Sequence, residues 1–172
     1  MPAQIALHPV DVAVALRLQE MPGATYLGIA SDLGISSSTA FEAVARLAAA
    51  GLVREEERQV NRHALLEFLE HGARYAFPGT LGTRARGVPT AHAAPFLANE
   101  IAGGDPVVWP DPNGSVVGAT LSPLFPKATQ LPSRCPGVYE MLTLIDAIRI
   151  GRARERARAM GRLRQRFGAA AA

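Results

Sequence analysis

The sequence predicts a mainly α protein in three segments, residues 1–76, 77–135 and 136–168. Three observations carry this prediction. Apolar residues recur at helical spacing towards both ends of the chain, at Ala40, Ala43, Val44 and Leu47 and again at Val138, Met141, Leu142, Ile145 and Ile148. Between them lie Pro78, Pro89, Pro95, Pro106, Pro110, Pro112, Pro123, Pro126 and Pro132, which exclude long helices there. Gly34 followed by Ser36 marks a sharp turn between two helices, because glycine takes the left-handed conformation and serine caps the next helix. With 172 residues, 48% of them hydrophobic, the chain can bury one good core and a smaller second unit.

The first helix spans Pro9 to Gln19, with proline in its first turn, Asp11 close behind to suit the helix dipole, and Val12, Val14, Ala15 and Leu16 for packing. It stops at Met21-Pro22-Gly23. A second helix ends at Leu33, Gly34 makes the turn, Ile35 plugs the gap, and Ser36 caps a third helix. Ala30 is small where the two helices cross. The third helix buries Ala40, Ala43, Val44 and Leu47 and turns Ser37, Ser38, Phe41, Glu42, Ala45 and Arg46 outwards. Gly51-Leu52-Val53 then stops the helix and begins a strand. This order is a helix-turn-helix with the start of a wing.

Ile29, Ala30, Leu33, Gly34, Ile35, Ser36, Ser38, Thr39, Leu47, Gly51, Leu52 and Val53 together resemble the winged helix-turn-helix regulators of bacteria, most closely those of the multiple-antibiotic-resistance repressor type. The match covers under a third of the chain. The resemblance implies a homodimer on a roughly palindromic site in double-stranded DNA, often as a repressor. It also implies that the outward face of the third helix enters the major groove. Ser37, Ser38, Phe41 and Glu42 would then read bases, and Ser36, Thr39 and Arg46 would hold phosphates. Phe41 either touches a thymine methyl or packs under a neighbouring loop. Two positions depart from the family: residues 37 and 42, often basic or polar there, are Ser37 and Glu42. Arg46 is then the one cation on the reading helix, where phosphate-dominated affinity wants several.

The wing departs as well. Arg54-Glu55-Glu56-Glu57-Arg58 would turn three carboxylates towards a phosphate backbone, so the wing is truncated or contacts DNA only through Arg54, Arg58 and Arg62. Asn61 caps a helix from Arg62 to about Gly72 with Leu65, Leu66, Phe68 and Leu69 on its apolar side.

In the middle segment, Val107-Val108-Trp109 and Ser115-Val116-Val117 flank Pro110-Asp111-Pro112-Asn113-Gly114 and read as a small β-hairpin, since Asn-Gly favours tight turns. Phe96 to Ile101 reads as a short helix, and Gly87–His92 and Leu121–Pro126 as extended chain. Phe77, Phe96, Leu97, Trp109, Leu121, Leu124 and Phe125 are too many apolar groups for a solvated linker. The segment therefore wraps over the helices, pairs with another subunit, or lines a small-molecule pocket with Tyr75, Arg84, Arg86, His92 and Trp109.

The net charge of +3 is uneven: residues 1–135 hold 10 Lys+Arg against 12 Asp+Glu (−2), and residues 136–172 hold 8 against 3 (+5). The positive charge lies in one long C-terminal helix opened by Pro136. Its first half, Val138, Met141, Leu142, Ile145 and Ile148, reads as a dimerisation stripe, and its second keeps a thin stripe of Ala153, Ala157, Met160, Leu163 and Phe167. The arginines, Arg154, Arg156 and Arg158 among them, either form a solvated face, grip the DNA backbone, or dock an acidic protein.

Catalysis and metal binding find no support, and no cofactor is expected. The closest of the four histidines, His63 and His71, are eight residues apart, and Gly79-Thr80-Leu81-Gly82-Thr83 lacks the lysine of a phosphate loop. No run approaches the roughly 18 apolar residues of a membrane span. A signal peptide pattern is also missing, so the sequence predicts a cytoplasmic protein without membrane association. The single Cys135 precludes an intramolecular disulfide and is either inert or, beside Arg134, a redox-sensing thiol. The rival to a DNA regulator is a winged-helix antitoxin, or another interaction module, that binds a protein partner such as a toxin. A basic face around the third helix favours DNA; an acidic or apolar one favours protein.

Overall fold

Three helices open the chain: α1 (Pro9–Glu20), α2 (Tyr26–Leu33) and α3 (Ser37–Ala49). The computed structural model describes residues 5–101 and 104–168; residues 1–4 and 102–103 of the first two predicted segments lie outside that description. Pro9 occupies the first turn of α1, and the His8 backbone N–H donates to Asp11 Oδ2 at 2.8 Å. From Asp11 to Leu16 every residue is buried, so α1 is apolar nearly all round and packs against α2, α3 and the later helix α7 (Pro136–Ile150). The Thr25 hydroxyl caps α2 by accepting from Gly28 N at 3.0 Å.

After α3, Gly51 takes φ +76° and the chain forms β1 (Val53–Arg54) and β2 (Gln59–Val60), a two-residue antiparallel ladder with Val53 opposite Val60. Asn61 caps α4 (Arg62–Glu67) by accepting from Ala64 N at 3.3 Å. The expected helix to Gly72 runs further. It widens into a π-turn over Phe68–Gly72 and continues as α5 (Ala73–Ala76).

The middle segment is built on a strand that the sequence shows only as extended chain. β3 (Leu81–Thr90) pairs antiparallel with β4 (Val107–Pro110) through Gly87–Thr90 and with β5 (Val116–Leu121) through Leu81–Gly87, while β4 and β5 are parallel to each other. The predicted hairpin is therefore corrected. The turn exists, with Asn113 N donating to Asp111 Oδ1 at 2.8 Å, but both flanking strands bond to β3 instead of forming an antiparallel pair. Gly87 makes this possible: it faces Pro110 on one side and Val116 on the other, and a Cβ there would strike the Trp109 carbonyl. Phe96–Ile101 is a series of turns rather than a helix, held by Leu97 N to Ala94 O (2.9 Å) and Ile101 N to Leu97 O (3.0 Å). Six residues are too few to overcome helix nucleation on their own.

A 3-10 stretch (Pro126–Gln130) and α6 (Leu131–Arg134) lead into α7. The single C-terminal helix expected over 136–168 is two, α7 and α8 (Ala153–Arg166), folded back on each other. Gly151 breaks them with extended backbone (φ −70°, ψ 157°), and a Cβ there would meet the Ala147 carbonyl. The Arg152 N–H then donates to Glu155 Oε2 at 2.9 Å, a first-turn carboxylate restarting the helix.

This arrangement overturns the predicted dimerisation stripe. Val138, Met141, Leu142, Ile145 and Ile148 are at most 2% exposed within one chain, where α1, α8 and the strand segment cover α7. The buried stripe of α8 is Ala159, Leu163 and Phe167, and Ala153 and Ala157 face outwards. One apolar cluster joins all three predicted segments, from Val12 through Trp109 to Phe167.

A buried polar knot fastens the strands to α7. Asp146 Oδ2 accepts from Thr90 Oγ1 (2.6 Å) and Trp109 Nε1 (2.7 Å), and Oδ1 from Arg149 Nη1 (2.7 Å). Burial pushes the Asp146 carboxyl up, and Arg149, Thr90 and Trp109 pull it back down. The Tyr139 hydroxyl donates to Pro89 O at 2.6 Å. Among the described residues no helix is long and apolar enough to cross a membrane.

Candidate nucleic-acid interface

Gly34 ends α2 at φ +70°, with Ile35 N donating to Ala30 O at 3.1 Å, and this tight reversal sets the angle at which α3 leaves. The small, buried Ala30 allows the crossing. Ser36 Oγ accepts from Thr39 N at 3.0 Å and lies 2.8 Å from Thr39 Oγ1, so both hydroxyls serve the helix end. Ser37 and Ser38, one step further out, are exposed. The buried side of α3, Ala40, Ala43, Val44 and Leu47, is the one its spacing predicts.

Phe41 does not sit under a loop. It is 51% exposed and meets Tyr26 edge-on at 5.3 Å, beside Leu27, which is 74% exposed at the start of α2. Glu42 is exposed one residue on.

Two arginines assigned to DNA are engaged inside the protein. Arg46 turns inwards, with Nε 2.8 Å from Asp11 Oδ2 and Nη2 2.7 Å from Oδ1. Asp11 is 1% exposed, so its charge needs a partner, and the hydrogen bond in turn holds the Arg46 guanidinium further above its ordinary range. Arg46 pins α3 to α1. Arg58, with φ +47°, donates from Nε to Ala24 O at 2.8 Å and lies 5.4 Å over the Tyr26 ring. It ties the β1–β2 turn to the start of α2. Arg54 and Arg62 are exposed and have no ion-pair partner among the described residues, and Glu55, Glu56 and Glu57 are exposed at the turn between the strands.

The fold adds one cation that the sequence does not reveal. α6 packs on α2 and lays Arg134 against the turn, where a Cβ on Gly34 would collide with its guanidinium. Arg134 is exposed and has no ion-pair partner among the described residues. Arg134 is a hundred residues from Gly34, and nothing local signals the contact.

Arg154, Arg156 and Arg158 lie elsewhere. α7 begins beside α1, with Cys135 Sγ 3.8 Å from Glu20 Oε2, and its 15 residues carry the chain about 22 Å away before α8 starts. These three arginines sit at that far end and do not join Ser37 and Ser38. Arg156 donates to Gly151 O at 2.8 Å, and further along α8 Arg162, Arg164 and Arg166 pair with Glu100, Glu70 and Glu140.

The expected pocket set also separates. Trp109 is core, Tyr75 is exposed on α5, and Arg86 donates to Gly114 O at 3.3 Å. Arg84 pairs with Asp105 at 2.9 Å, and His92 Nε2 lies 3.0 Å from Asp105 O at the edge of a cleft of about 440 Å³. Cys135 is buried, and burial pushes its thiol up despite the pull of Arg17 and a backbone hydrogen bond, against the low value that redox sensing needs. Among the described residues no group of three or more His, Cys, Asp or Glu could hold a metal ion.

The helix-turn-helix geometry thus presents two free hydroxyls, an exposed aromatic, three free arginines and four carboxylates on and around one helix. No protein-family model, curated protein or solved structure matches the chain.

Proposed function

We propose that this chain is a DNA-binding transcription regulator of winged helix-turn-helix type, acting in the cytoplasm as a homodimer on double-stranded DNA, in the manner of a repressor. The observation that carries this reading is the bare outer face of α3, projected by the left-handed Gly34 turn while the inner face is fully buried. Ser37 and Ser38 face bases at the leading end of α3, and Arg54, Arg62 and Arg134 hold phosphates around it. Three phosphate contacts per chain give a log–log salt slope of roughly −3, shallow for a DNA regulator.

The test is fluorescence anisotropy of the full chain with the DNA upstream of its own coding sequence, beside a scrambled duplex of equal length, over a salt series. The expected result is selective binding with that shallow slope, reduced by about one on Arg134→Ala. Equal, weak binding to both duplexes overturns the reading. A second reading has its own support: Phe41 and Leu27 are exposed near Glu42 and Glu55–Glu57, which suits a protein partner with an apolar, basic face, such as a toxin. Under that reading Phe41→Ala abolishes capture of the partner and leaves DNA binding unaffected.

A further inference from the structure

The arginines of the α8 region divide into two groups. Arg156, Arg162, Arg164 and Arg166 are each bonded to a carbonyl or carboxylate of the chain. Arg152, Arg154 and Arg158 have no ion-pair partner among the described residues, and all three border one cleft of about 340 Å³, opposite Asn99 and Glu100. The carboxylates there are already engaged. Glu100 pairs with Arg162, and Glu155 accepts the Arg152 N–H. Three like charges around one concavity repel each other, and no contact in the chain compensates them.

We propose that this cleft binds a compact organic anion carrying two or more carboxylate or phosphate charges. Guanidinium groups match both anions through paired N–H donors, and the start of the 14-residue α8 adds favourable partial charge. The volume lies within the usual range for small-molecule sites. An adjoining groove of about 520 Å³ continues past Arg158 to Gly161, where a Cβ would meet no atom within 4 Å, and leaves room for an uncharged remainder. The site stands on α8 and the turn at residues 99–101, so its existence does not depend on DNA binding.

The experiment is isothermal titration of the full chain, without DNA, with citrate and separately with ribose 5-phosphate. One-to-one binding of at least one probe is expected, and the stronger of the two identifies carboxylate or phosphate as the preferred group. Arg154→Ala combined with Arg158→Ala, both exposed, should weaken it by at least about tenfold, while Lys127→Ala on the distant 3-10 stretch leaves it unchanged. No heat with either probe, or equal losses in the double variant and in Lys127→Ala, overturns the proposal.

Discussion

Arg46 turns away from solvent because Asp11, in the first turn of a buried helix, leaves a carboxylate where water cannot reach it. Replacing Arg46 with alanine strands that charge and should lower the unfolding free energy by about 3 kcal/mol in urea titrations. Tyr139 supplies a pH signature of its own. Burial pushes its hydroxyl up to about 12, so the folded chain keeps a proton that the unfolded chain releases near 10. The resulting stability is present below the unfolded value and is lost as pH rises towards 12. Alkaline titration of phenolate absorbance should show one of the three tyrosines ionising late, and Tyr139→Phe should remove both that step and the matching decline in stability.

Elements whose signals are local are legible in the sequence. Ser36 and Asn61 cap the helices expected of them, and Gly34 turns where a left-handed residue is required. What escapes is pairing over distance. β3 has two partners because Gly87 admits both backbones, and no stretch near residue 87 announces partners at 107–121. The break at Gly151 is masked by apolar periodicity on one side and arginines on the other, both of which continue a helical pattern. Gly161 sits inside α8 with open space around its would-be Cβ, so packing does not require it. Gly161→Ala should raise stability by roughly 0.5–1 kcal/mol, measured by thermal or urea unfolding, through backbone entropy alone.

Across the whole molecule, α7 is the shared wall: α1 lies on one side, the strands and α8 on others. Its apolar residues read in the sequence as a surface between copies, since periodicity shows that a face is buried but not what buries it. Ile145→Asp therefore tests the assignment. Circular dichroism and sedimentation should report an unfolded chain; a folded monomer would mean that Ile145 faces a second copy after all. The candidate DNA site is readable as far as α3 itself, whereas the identity of its free cations depends on which arginines the core has already engaged.

The closure of α1 by α7 also sets the order of events during synthesis. The first helix emerges early yet keeps an uncovered apolar side until roughly residue 150 has been added, more than a hundred residues later. At about 5–20 residues per second, that interval is on the order of 6–25 s on the ribosome. The amino-terminal helices must wait, partly bare, for the carboxy-terminal ones, which makes this chain a client for whatever shields nascent apolar surface in the cell.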